Sequence, residues 1–150
     1  MNGLGELYQQ LIIDHNRNPR NFGPLDDANR TASGDNPLCG DRIRVYLRVA
    51  NGIIEDARFE GNGCAISQAS ASLMTTAVRG KSPADALDLF QAFHRMVTSP
   101  PTVAPEAKAL GKLAAFAGVR TFPARVKCAN LAWHTLRAAL EGDPSGVSTE

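Results

Sequence analysis

Residues 42–62 constrain the fold more strongly than any other part of the chain. Between 42 and 49, aliphatic side chains alternate strictly with arginine or tyrosine, which predicts a strand with one buried face and one basic, solvated face. Asn51-Gly52 then predicts a tight hairpin turn, because both residues tolerate positive φ. A return strand is predicted over 53–60, before a glycine-rich break. The chain therefore requires an antiparallel sheet and a layer that covers its apolar face.

Helical periodicity predicts this covering layer. Apolar residues recur at three- and four-residue spacing, bounded by glycine or proline, in residues 4–16, 65–79, 82–97, 106–116 and 123–141. A short edge strand is predicted within 28–33. The predicted fold class is α+β, a small antiparallel β-sheet of about three strands with helices packed on one side of it.

Length and charge exclude several classes of protein. A chain of 150 residues with 43% hydrophobic side chains can bury a core without disulfides, and one domain over 1–150 is predicted, with a flexible polar tail at about 143–150. The net charge of +1 disfavours nucleic acid and anionic membranes as partners. The sequence has no signal-peptide pattern and no apolar run of about 18 residues, so a cytoplasmic protein is predicted.

Three cysteines carry the chemistry that this sequence suggests. Cys39, Cys64 and Cys128 each lie beside glycine or at a predicted helix start, and Asp41 follows Cys39 by two residues. An odd number of cysteines in a reducing compartment does not suggest a disulfide framework. Thiolates and carboxylates are ligands for zinc, so these are four candidate ligands for one metal ion. Two alternatives stay open, namely cysteines that are small core residues and an Asp41 that only accepts turn hydrogen bonds.

Two cations precede the last cysteine. Arg125 and Lys127 lie near the start of the helix predicted to carry Cys128. Three thiolates and a carboxylate around Zn²⁺ carry a net negative charge, which such cations would offset. Cations and a helix N-terminus also favour thiolate over thiol. A solvated helix face is the alternative interpretation.

The remaining charged and titratable residues indicate no second site. His15, at a predicted helix end, is expected to bond free carbonyl groups or to interact with the helix dipole. His94 and His134 are expected to be structural or exposed. Residues 42–49 carry three arginines on one strand face. The near-zero net charge of the chain disfavours nucleic acid as a partner. The sequence leaves open whether this face is merely solvated or docks a protein.

Three segments, each around one cysteine, resemble the motifs of a known family. They are Asn-Pro-Leu-Cys-Gly-Asp at 36–41, Gly-Asn-Gly-Cys-Ala-Ile-Ser at 61–67 and Arg-Val-Lys-Cys-Ala-Asn-Leu-Ala-Trp at 125–133. In this order they are similar to the three cysteine motifs of the iron–sulfur assembly family that contains IscU, NifU and SufU, and residues 15–23 resemble its N-terminal motif. Two details favour the SufU branch. Lys127 stands where IscU-type scaffolds have a histidine, and residues 81–120 resemble a helical insertion typical of SufU.

The resemblance implies a zinc-dependent sulfurtransferase for iron–sulfur cluster biogenesis. It implies zinc bound by Cys39, Asp41, Cys64 and Cys128, with Cys39 as the acceptor of persulfide sulfur from a SufS-type cysteine desulfurase, and downstream SUF assembly components as further partners. We expect desulfurase docking to free Cys39 for attack. Two other hypotheses stay open, an IscU-type scaffold that binds a [2Fe-2S] cluster on the same ligands and a structural zinc module for protein interactions.

Overall fold

A computed structural model describes residues 3–38, 40–142 and 147–148 of the protein. Its strands are β1 Arg30–Asn36, β2 Asp41–Ala50, β3 Ile53–Asn62 and β4 Val147–Ser148. Its helices are α1 Gly3–Arg17, α2 Ala65–Val78, α3 Pro83–Thr98, α4 Ala107–Leu110, a 3₁₀ helix Gly111–Thr121 and α5 Pro123–Glu141. None of the described helices combines the length and hydropathy needed to cross a bilayer.

The sheet has the strand order β3-β2-β1-β4. The three long strands pair antiparallel, and helices cover the face that carries the buried aliphatic residues of β2. Asn51 and Gly52 both have positive φ, at 55° and 75°, as a two-residue hairpin turn requires. The predicted α+β fold and its hairpin are therefore confirmed.

Strand β1 begins and ends later than the sequence predicts. Its inward residues are Ala32, Gly34 and Asn36, which are small or polar and give no alternation of hydrophobicity. A Cβ atom at Gly34 would lie 2.2 Å from Thr135 Oγ1, so β1 and α5 approach closely because this residue has no side chain. Packing against α5, rather than strand propensity, determines where β1 lies.

Two other segments differ from prediction. The helix predicted at 106–116 is instead the short α4 followed by a 3₁₀ helix that extends to Thr121, because Gly111 has φ +55° and interrupts the α-helical ladder. Within the predicted polar tail, Val147–Ser148 form β4 and pair parallel with Gly34 and Asp35. Residues 143–146 and 149–150 lie outside the described residues.

Aromatic stacking joins the 81–120 region to the rest of the core. Trp133 of α5 is fully buried and stacks on Phe93 of α3, with ring centroids 4.9 Å apart. Phe93 also meets Phe116 of the 3₁₀ helix edge to face at 5.8 Å. Such pairs add to the hydrophobic stabilisation of each buried ring. The buried apolar residues of sheet and helices form one continuous cluster.

The outer edge of β3 is covered by two loop segments. The backbone of Phe59 accepts a hydrogen bond from Gly23 at 2.8 Å and donates one to Asn21 at 3.0 Å. Ile54 is bonded in the same way to Gly80 and Lys81, both at 2.8 Å. These contacts satisfy backbone groups that an edge strand would otherwise present to solvent.

Candidate metal centre

Three of the four predicted ligands meet at one end of the central strands. Asp41 begins β2, Cys64 immediately precedes α2, and Cys128 lies in the second turn of α5. A carboxylate oxygen of Asp41 and the two sulfur atoms all lie within 4.8 Å of one another. Cys39, the fourth predicted ligand, lies outside the described residues. The fold thus brings together donor atoms from three separate segments of the chain.

These donor atoms fit a zinc ion. With Zn–S near 2.3 Å and Zn–O near 2.0–2.2 Å, the ligand atoms of a tetrahedral site stand about 3.5–3.8 Å apart. Cys64 Sγ lies 3.8 Å from Asp41 Oδ2. Two thiols and one carboxylate lie within 4.8 Å of one another, and a further thiol precedes the carboxylate by two residues in the sequence. Together they supply the donor types and number that zinc takes.

Cys64 caps the N-terminus of α2. Its backbone is extended, with φ −70° and ψ 170°, and its sulfur accepts a hydrogen bond from the Ser67 amide at 3.4 Å. The thiol is accessible to solvent. The start of α2 therefore fixes the position of this sulfur beside Asp41, whose Oδ2 lies 3.8 Å away.

Asp41 is fully buried and held by the backbone. Its Oδ1 accepts a hydrogen bond from the Cys64 amide at 2.9 Å. A Cβ atom at Gly63 would lie 2.9 Å from this oxygen and 3.0 Å from Ser67 Oγ. The glycine before Cys64 therefore leaves the space in which the carboxylate sits.

Cys128 is buried beside Asn36, a residue that our sequence analysis missed as part of the site. Asn36 is fully buried at the end of β1 and donates its side-chain amide to Cys128 Sγ, at 3.8 Å. An asparagine in a strand gives no hydrophobic signal. Its place at the end of β1, three residues before Cys39, is the feature that could have identified it.

The two predicted supporting cations differ in environment. Arg125 is exposed, and its guanidinium lies 4.9 Å above the ring of Phe122. Lys127 is half-buried on the same turn of α5. Both lie within three residues of Cys128 in the sequence, and their electrostatic role stays a prediction.

The histidines form contacts elsewhere in the fold. His15 is buried, and its Nδ1 lies 2.7 Å from Ser72 Oγ of α2, so its partner is a hydroxyl rather than the predicted free carbonyl group. Burial, followed by the nearby Arg20 charge, lowers the pKa of His15 and favours a neutral ring. His94 and His134 are half-buried and meet edge to face, with ring centroids 5.6 Å apart.

Exposed apolar side chains lie on segments next to the candidate ligands in the sequence. Leu38 is 68% exposed and Phe122 is 52% exposed. A cleft of about 610 Å³ runs between α1, the 3₁₀ helix and the start of α5, and its lining includes Ile13, Ile66 and Phe122. Large exposed apolar side chains are typical of surfaces that bind another protein.

Comparison with known proteins defines the family. Residues 7–141, which include every described residue of the centre, match the NifU-like N terminal domain. The chain belongs to the NifU-like N-terminal domain family.

Relatives within this family carry two different functional descriptions. The chain is 43% identical over 95% of its length to the zinc-dependent sulfurtransferase SufU of Bacillus subtilis, and it covers 95% of that protein. It is 42% identical to the iron–sulfur cluster assembly scaffold protein IscU of Streptococcus pyogenes, over 92% of this chain and 85% of that one.

Solved structures of the family share the fold. One is described as an iron–sulfur cluster assembly scaffold protein for the SUF system from Fervidobacterium islandicum AW-1, at 33% identity and TM-score 0.82, covering 92% of this chain and 99% of that one. Another is a NifU-like N-terminal protein from Brucella abortus, at 26% identity and TM-score 0.79, covering 93% and 95%. The fold is therefore the one adopted by NifU-like relatives.

Proposed function

We propose that the protein is a zinc-dependent sulfurtransferase that accepts persulfide sulfur from a SufS-type cysteine desulfurase. The observation that carries this proposal is the grouping of the Asp41 carboxylate with the thiols of Cys64 and Cys128, within 4.8 Å. Cys39 would be the fourth ligand. The similarity over 95% of the chain to a relative named a zinc-dependent sulfurtransferase supports the same function.

The donor set explains what a bound metal would add. Zinc would keep its cysteine ligands deprotonated, protect them from oxidation and hold three segments of the chain together. The protein itself contributes the α2 N-terminus at Cys64 and the buried pocket at Asp41 and Cys128. Arg125 and Lys127 would offset part of the negative charge of the ligands.

Cys39 would receive sulfur by thiol–persulfide exchange. Its thiolate attacks the terminal sulfur of the desulfurase persulfide, and a new S–S bond forms at Cys39. The S–S bond of the donor breaks, and its electron pair leaves with the desulfurase thiolate. No external oxidant or reductant is needed, because a sulfur atom is exchanged between two thiolates. The exposed side chains of Leu38 and Phe122 suit contact with a protein donor.

A scaffold function is the second candidate. Relatives from Streptococcus pyogenes and Thermotoga maritima, 42% and 40% identical, are named cluster assembly scaffolds. The same thiolates could hold a [2Fe-2S] cluster. Lys127, which stands where the scaffold motif has histidine, favours the sulfurtransferase. In either case we place the protein in the cytoplasm, upstream of further SUF components.

Metal analysis and desulfurase turnover separate these functions. The protein is purified without oxygen, and zinc, iron and acid-labile sulfide are measured. Cysteine desulfurase turnover is then followed with wild type, Cys39→Ala and Ser33→Ala, a control at an exposed position of β1. We expect one zinc per chain, no sulfide, and stimulation that Cys39→Ala abolishes and Ser33→Ala retains. Iron with sulfide would favour the scaffold, and zinc without stimulation would favour a structural zinc module.

A further inference from the structure

We propose that Asn36 is a positioning residue that couples the Cys128 ligand to the segment carrying Cys39. The proposal rests on the proposed zinc site and concerns how the chain holds it. Asn36 is fully buried. Burying a side-chain amide is unfavourable unless its donor and acceptor are both used, and here each group has a partner at the centre.

The donor side of the amide faces a ligand sulfur. Asn36 Nδ2 lies 3.8 Å from Cys128 Sγ. A thiolate accepts such a hydrogen bond more strongly than a thiol does, because the charge assists it. The contact therefore stabilises Cys128 in the form that binds metal and orients its sulfur toward Cys64 and Asp41.

Two oxygen atoms of Asn36 accept hydrogen bonds from the residues on either side of Cys39. Asn36 Oδ1 accepts a hydrogen bond from the Leu38 amide at 3.3 Å, and the Asn36 main-chain oxygen accepts one from the Gly40 amide at 2.9 Å. Asn36 and Asp41 are also partners in the β1–β2 register. This pair flanks the four-residue connection 37–40, which contains Cys39. Asn36 therefore contacts Leu38 and Gly40 of the connection as well as the sulfur of Cys128.

Asparagine performs both tasks because its side-chain amide carries a donor and an acceptor. Aspartate could still accept from the Leu38 amide, but it has no donor when ionised and would place negative charge beside the sulfur. Alanine removes both side-chain bonds. The two substitutions therefore separate the ligand contact from the loop contact.

The test compares Asn36→Asp and Asn36→Ala with wild type. Zinc affinity is measured by chelator competition, the thiolate-to-metal band is recorded on the Co²⁺-loaded protein, and amide exchange is followed at Leu38 and Gly40 in the metal-free protein. Ser70→Ala is the control, because it removes a buried hydrogen bond of 2.7 Å between α2 and α5 that does not involve a thiol. Thermal unfolding reports the folded state of every variant.

We expect both Asn36 variants to bind zinc about 10- to 100-fold more weakly and to shift the Co²⁺ band. Only Asn36→Ala should accelerate exchange at Leu38. Ser70→Ala should lower stability without either change. Zinc affinity within about twofold of wild type in both Asn36 variants, with an unshifted band, would overturn the inference and leave the proposed function intact. Absence of zinc binding by wild type would overturn both.

Discussion

Replacing Gly63 with alanine should disturb the candidate metal centre through a single added methyl group. A Cβ atom there would meet Asp41 Oδ1 at 2.9 Å and Ser67 Oγ at 3.0 Å. Ordinary contacts begin near 3.4 Å, so each oxygen would have to move by about half an ångström. Asp41 has little freedom to move, because it is fully buried and bonded to the Cys64 amide.

The expected cost follows from this overlap. Adding a methylene-sized group to a packed site typically costs about 1–3 kcal/mol. Taking about 2 kcal/mol, a domain of this length should melt roughly 4–8 °C lower. Because the displaced carboxylate is a predicted ligand, zinc affinity should also fall by at least about tenfold.

Gly118→Ala is the matched control for this prediction. Gly118 lies in the 3₁₀ helix, and a Cβ atom there would have no neighbour within 4 Å. Alanine at that position should leave zinc affinity unchanged and should alter stability by less than about 1 kcal/mol. Thermal unfolding and chelator competition are measured on both variants and wild type. Equal behaviour of Gly63→Ala and Gly118→Ala would refute the steric argument.

Three further predictions concern pH, a loop and the metal. Burial, aided by the charges of Arg137 and His94, lowers the pKa of His134 from 6.5 to about 4. The folded state therefore protonates this imidazole less readily than the unfolded state does, and the free energy of unfolding should fall as pH drops from about 6.5 toward 4. Urea unfolding of His134→Gln should show a weaker decline over that range, and an identical decline would contradict the assignment. Arg120 donates hydrogen bonds to the carbonyl oxygens of Ala117 and Val103. Arg120→Ala should therefore lower the free energy of unfolding by about 1–3 kcal/mol and accelerate amide exchange in residues 99–104. Unchanged exchange in that loop would count against this role. Zinc removal by a chelator should lower the melting temperature, since the predicted ligands come from separate elements, and restored melting on adding zinc back is the required control.

The sequence predicted those parts of the fold that depend on local patterns. The β2–β3 hairpin was predictable because alternation and Asn51-Gly52 act over neighbouring residues. Helix α5 was predicted with its observed bounds, since Pro123 and Gly142 mark its two ends. The displacement of β1 was not predictable from local patterns, because its position depends on how closely Gly34 approaches α5.

The candidate site was predictable in its residue types but not in its geometry. The spacing of Asp41, Cys64 and Cys128 in the sequence does not indicate their distances in space. Their donor types suggested a shared metal ion, and the resemblance implied the same ligand set. The contribution of Asn36 depends on its register with Asp41 and on the burial of its amide, which only the folded chain reveals. The contact between His94 and His134 likewise arises from the packing of α3 on α5.

The covered edge of β3 limits how another protein can recognise this one. Many partners bind by adding an extended segment to an open sheet edge, where main-chain hydrogen bonds supply much of the affinity. At Ile54 and Phe59 those backbone groups are already bonded to Gly80, Lys81, Asn21 and Gly23. Strand addition at these two positions would first require both loop segments to detach. Recognition through exposed side chains such as those of Leu38 and Phe122 needs no such rearrangement.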